Sequence, residues 1–267
     1  MSEELRRSFR DKIRRRPAGR PNGADDAPPP PGDAAGGITI QAVAAGPYPE
    51  AAGLHPRFVP GMLRVRLTID VGADLRRRPD LLPPRAIGEL LRLCPLLAEH
   101  ECGGGSPLDP APAGGEEDGL GLAHLVEHVA IEMVAAASGG HCHGVTGAWR
   151  DRLDRFDIFL ESTDVSLARA CAILAAAVVR DLCAGTGRVE GHRRSRDLLA
   201  TFHREDRREV APEDAAALLG LTVDEAVDGL EDLRRLGYLE AVAAPFTFSS
   251  ATGLLFRRTA WRPAAAP

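Results

Sequence analysis

His124 and His128 stand four residues apart in the string His124-Leu125-Val126-Glu127-His128. On a helix, residues i and i+4 lie one above the other, so two imidazoles at this spacing can hold one divalent ion. Glu127 flanks the same spot and can take a proton from a metal-bound water. A metal so held lowers the pKa of that water to about 7 and polarises a carbonyl about to be cleaved. A catalytic zinc ion usually takes three protein ligands. Glu161, at the end of an apolar segment that should pack beside this helix, is the first candidate for the third. The cluster His141, Cys142 and His143 is the second. Glu132 is on the right face, but its Cα lies ~12 Å along the axis from His124, which suits a supporting role better than a ligand. The plainer alternative is a buried histidine pair, bonded to Glu127 and backbone, with no metal.

These residues need a helix to position them. Leu120–Ala137 is apolar nearly all round, as in a buried helix, and ends at Ser138-Gly139-Gly140. Its polar residues His124, Glu127, His128 and Glu132 fall within an arc of about 140° at ~100° per residue. Burying them costs several kcal/mol unless they are satisfied.

Around this helix, Ile38–Val43, Leu63–Val71 and Phe156–Glu161 read as strands, joined in part by the Pro/Gly-rich segment Gly46 to Gly61. Ala86–Glu99 and Val165–Cys183 read as helices, the second capped by Thr163 or Asp164 and stopped by Gly185 and Gly187. Strands mixed with helices, without strict alternation, predict an α+β domain over residues 38–186: a small mixed sheet packed with helices. A polar break at Gly187–Ser195 leads to a second unit, 195–261. There Leu198–Arg204, Pro212–Leu219 and Val223–Leu236 read as helices, the last capped by Thr222. Tyr238–Val242, Phe246–Ser249 and Leu254–Arg257 read as a strand and a β-hairpin, a winged-helix-like pattern. Residues 1–37, a basic run followed by a Pro/Gly-rich stretch, read as a disordered tail.

A chain of 267 residues with 44% hydrophobic content can fill a sizeable core, and its net charge of −5 argues against nucleic acid as a partner. The last predicted helix carries Asp224, Glu225, Asp228, Glu231 and Asp232, which would repel phosphates. That pattern favours protein contact, such as a homodimer through the C-terminal unit. Five cysteines without a CxxC spacing read as reduced thiols. No membrane-spanning or secretory pattern is evident, so a soluble, cytoplasmic protein is expected.

The string from His124 to His128 has the H-x-x-E-H form of the inverzincins. More broadly, residues from about 38 to 184 resemble the N-terminal domain of cyanophycin synthetases. The residues that carry this are Leu90–Cys102 (LLRLCPLLAEHEC), Asp118–Met133 (DGLGLAHLVEHVAIEM) and Asp157–Ser162 (DIFLES). The resemblance implies a domain that in some members cuts cyanophycin, a poly-aspartate backbone with arginines on the side-chain carboxylates. It further implies His124 and His128 as ligands of Zn2+ or a similar divalent ion, Glu127 as general base, and Glu161 at a shared strand position. HCHGVTGAWR (His141–Arg150) and the acidic run Gly114–Asp118 depart from the family's pattern, as does the lack of a Walker-type GxxxxGK[ST]. The expected function is a metal-dependent peptidase or isopeptidase acting on a peptide or isopeptide substrate, cyanophycin-like or another amide. The alternatives are a non-catalytic substrate-binding or regulatory protein, and a lyase similar to S-ribosylhomocysteine lyase with Cys142 or Cys171 as a further ligand.

Overall fold

The computed structural model describes residues 37–76, 82–100, 108, 120–243 and 253–259. The predicted tail, the acidic run and the predicted strand Phe246–Ser249 lie outside the described residues, apart from Gly37.

Four strands form the first sheet: β1 (Ile38–Gly46), β2 (Arg64–Val71), β3 (His143–Ala148) and β4 (Arg155–Glu161), in the order β1-β2-β4-β3. Where a mixed sheet was expected, every ladder is antiparallel. The short Trp149–Asp154 connection makes β3 and β4 a hairpin, and the chain then has no parallel crossover within the sheet. The alternation in LRVRLTIDV decides the faces. Val65, Leu67, Ile69 and Val71 join Phe156, Ile158 and Leu160 on one apolar face, all buried.

Helices cover that face. α1 (Pro84–Leu93) runs into a 3-10 turn at Pro95–Ala98, where the sequence suggested one continuous helix. Pro95 breaks the helix because its nitrogen has no hydrogen to donate. α2 (Leu120–Ser138) and α3 (Val165–Ala184) lie against the sheet and each other. Asp164 caps α3 by accepting the Leu167 N–H at 2.8 Å, and Gly185 ends it with φ 64°. α2 passes the length and hydropathy test for a membrane span, but 67% of its window is buried inside the fold. Its all-round apolarity follows from contact with α3, β3, β4 and a further helix, α4 (Val189–Arg204).

α4 corrects the predicted break at Gly187–Ser195. Glu190, Arg193 and Asp197 pair along one exposed face at helical spacing, and Ser195 turns inward to bond the Gly191 carbonyl at 3.1 Å. Beyond it come β5 (Glu209–Val210), α5 (Pro212–Leu219), α6 (Val223–Arg235), β6 (Leu239–Ala243) and β7 (Leu254–Arg258), with sheet order β5-β7-β6. Thr222 caps α6 in a capping box with Glu225. The two units share one hydrophobic core. Arg258 pairs with Asp164, and the Arg169 guanidinium donates to the Leu236 carbonyl at 3.0 Å, which ties them further.

Candidate metal centre

α2 presents His124 and His128 one turn apart, and their Nε2 atoms lie 2.8 Å from each other. The ligating atoms of His124, Glu127 and His128 all fall within 4.8 Å of one another. A third imidazole joins them. The His100 ring is centred 4.2 Å from that of His128, close to the 4.4 Å between His124 and His128. His100 arrives from the 3-10 turn, which Glu132 fastens to α2 by accepting the Leu96 N–H at 3.1 Å. Glu132 therefore takes the supporting role that its position on the helix suggested.

The electrostatics suit a cation. Burial, then the neighbouring His124 and His100, pushes His128 down to about 3, and burial followed by His100 lowers His124. Both are neutral at ordinary pH, so their ring nitrogens have lone pairs to give. Two imidazole nitrogens 2.8 Å apart must share a proton or turn their lone pairs toward a common ion. This donor set of neutral imidazoles beside a carboxylate fits a divalent transition metal.

Glu127 is buried between α2 and β3. Burial raises its carboxyl to about 7, against the opposing effect of the Thr146 hydroxyl, which donates to Oε2 at 2.5 Å. A carboxyl poised near neutrality is suited to accept and return a proton. Gly144 makes room for it: a Cβ there would sit 2.8 Å from Glu127 Cγ and 2.9 Å from Oε1.

The other predicted ligands lie elsewhere. Glu161 pairs in register with Arg64 and His143 on the sheet face turned away from α2. Its carboxylate binds the buried Arg64 guanidinium at 2.6 Å and accepts the Val59 N–H at 3.0 and 3.1 Å. His143 stacks on His55, with ring centroids 5.7 Å apart. His141 is exposed. Cys142 is buried, and burial first, then Glu127 and Glu161, pushes its thiol up to about 12, which disfavours the thiolate that binds metals. Sequence reasoning passed over His100, although it lies in the Leu90–Cys102 stretch that carries the resemblance. It also passed over Arg64, whose guanidinium holds the 47–62 connection through the carbonyls of Pro47 and Val59.

A buried helix bearing H-x-x-E-H, roofed by a third histidine and set on an antiparallel sheet, defines an α+β domain whose His124, Glu127 and His128 could hold a metal ion. Residues 67–184 match the family model of the cyanophycin synthase-like N-terminal domain, and this stretch contains His100, His124, Glu127 and His128. No curated protein matches the chain.

Proposed function

We propose that this domain is a metal-dependent hydrolase of amide bonds, peptidase- or isopeptidase-like, with a cyanophycin-like polymer as its class of substrate. The observation that carries the reading is three imidazoles gathered beside a buried carboxyl held at about 7. His124, His128 and His100 would hold the ion, zinc being the natural choice for this donor set. A bound zinc would supply an acidified water and an electrophile for the scissile carbonyl. Glu127 takes the proton from the attacking water and returns it to the leaving amine, so the bond's atoms balance as one water added across one amide. Thr146 fixes the orientation of that carboxylate, and Glu132 keeps the His100 segment in place.

Support for the substrate class comes from the similarity of residues 67–184 to the cyanophycin synthase-like domain. The test is metal analysis of protein purified without chelator, together with hydrolysis of an aspartate-backbone oligomer carrying side-chain arginines. The reading expects about one zinc per chain and cleavage that Glu127→Gln abolishes. Protein that binds no zinc on reconstitution, or hydrolysis unchanged in Glu127→Gln, refutes it.

One observation favours a second role for the C-terminal unit. The order α4-β5-α5-α6-β6-β7 with sheet order β5-β7-β6 supports reading it as a winged-helix-like interaction module. Exposed acids on α6 favour a protein partner or a second copy over nucleic acid. A salt-dependent shift of duplex DNA by the full chain would reverse that preference.

A further inference from the structure

The third imidazole of the candidate centre stands on a short arm rather than on α2. Pro95 has no N–H with which to continue α1, so the last carbonyls of that helix lose their helical partners. Between Leu93, where α1 ends, and His100 the chain is largely exposed: Pro95, Leu96, Ala98 and Glu99 all face solvent. A segment with so few buried contacts opens locally unless its ends are fixed.

Two anchors fix this one. From α2, Glu132 accepts the Leu96 N–H at 3.1 Å. From α4, the Arg196 guanidinium donates to the Leu93 carbonyl at the point where α1 stops, where the helix dipole favours a cation. Asp197 orients that guanidinium, accepting from Nε at 2.9 Å and from Nη2, so the rigid fork presents Nη1 to α1. The two anchors also act on a common neighbourhood. Burial first, then the charge of Glu132, pushes the Cys94 thiol up to about 12, against the opposing charge of Arg196. Burial likewise raises the Glu132 carboxyl, and the Leu96 and Leu97 amides and Arg196 work against that rise. The Oε2 of Glu132 is buried with no hydrogen-bond partner among the described residues, so the nearby positive charge of Arg196 compensates it.

We propose that Arg196 is a positioning residue for the third histidine: by holding the end of α1, it places the His100 imidazole against that of His128. This rests on the hydrolase reading and deepens it. Arg196 lies on α4, outside the stretch 67–184 that matches the family, and α4 packs against both α2 and α6. The helix that joins the two units thus contributes to metal affinity without touching the ion.

The test uses two variants of the full chain. Arg196→Met removes the donors but keeps the apolar stem of a side chain only 21% exposed, and Arg196→Lys keeps a charge and a donor. In metal-free protein, a nuclear Overhauser contact between the rings of His100 and His128, whose centroids lie 4.2 Å apart, should be present in the wild type. It should survive in Arg196→Lys and vanish in Arg196→Met. Zinc affinity, read by competition with a zinc-sensitive dye, should fall about 10-fold in Arg196→Met and stay within ~3-fold of wild type in Arg196→Lys. In a His100→Ala background, Arg196→Met should change that affinity by less than ~2-fold, since a residue acting through His100 has nothing left to place. A ring contact absent from the wild type or surviving in Arg196→Met overturns the inference, as does an equal loss of zinc affinity with and without His100. A wild type that shows the ring contact but takes no zinc refutes instead the hydrolase reading, and the ring contact in the variants still decides the role of Arg196.

Discussion

Replacing Glu127 by glutamine should end hydrolysis by the zinc-loaded protein and, in the metal-free protein, make the fold more stable at and above neutral pH. Burial is the cause: it raises the carboxyl from an ordinary 4.5 to about 7, so folding favours the protonated form. In the unfolded chain the group ionises near pH 4.5. Between there and about 7 the folded state holds the extra proton, and stability falls as pH rises. The contribution is intact below about 4.5 and fully lost above about 7. At about 1.4 kcal/mol per pH unit, that span corresponds to roughly 3 kcal/mol, good to order of magnitude. Glutamine is uncharged throughout and can still accept from Thr146, so it escapes the loss. Urea denaturation of both proteins in chelator, at pH 4, 5.5, 7 and 8, isolates the effect, since the two chains differ at this position alone. The gap should open from near zero to about 3 kcal/mol. Parallel stability profiles would refute the reasoning, because a carboxylate that costs nothing to bury ionised is not the poised base described above.

Three further outcomes follow from the geometry. Zinc content near one per chain should vanish in His124→Ala and in His128→Ala, and His100→Ala should weaken binding at least ~10-fold, read by competition with a zinc-sensitive dye. Glu161→Gln should keep its zinc but lose ~3–5 kcal/mol in urea denaturation, because it leaves the Arg64 guanidinium buried without its anion; loss of zinc would return Glu161 to the ligand set. Gly144→Ala should retain zinc while kcat falls on the order of 100-fold, since the added carbon displaces Glu127 from 2.8 Å away.

The helix that carries His124 and His128 was legible because its signal is local. Apolar residues all round with one polar arc leave little choice but a buried helix facing something polar, and Leu120–Ser138 is that helix. Glu161 was harder. Phe156, Ile158 and Leu160 mark one face of β4, but Phe159 is equally apolar and blurs the alternation. It packs on the other side against Tyr48, with ring centroids 5.5 Å apart, so Glu161 shares its face with Arg64 rather than with α2. β3 has two glycines in six residues and little intrinsic strand preference, so its existence depends on pairing with β4, which no short window reveals. His100 sits past a 3-10 turn, and tertiary contacts such as the anchor of Glu132 on Leu96 bring it to His128. The polar start of α4 looked like a linker because its helix is held by ion pairs rather than by an apolar stripe.

The buried acids of this fold differ in what compensates them. Asp181 and Glu161 are buried about as deeply as Glu127. Asp181 feels the same upward push of burial, but His192 at 2.9 Å and Arg180 at 3.2 Å overcome it and hold the carboxyl below its ordinary value. Glu161 has Arg64. Glu127 is given only the neutral Thr146 hydroxyl, beside imidazoles that burial keeps uncharged. A packing role would be served as well by glutamine, or by an arginine nearby, and would avoid the destabilisation worked out above. An ionisable carboxyl packed beside two histidines that burial keeps neutral is an arrangement that a bound cation would complete. A buried acid held by a neutral hydroxyl thus meets two neutral imidazoles on one face of α2, where a bound metal would complete the set.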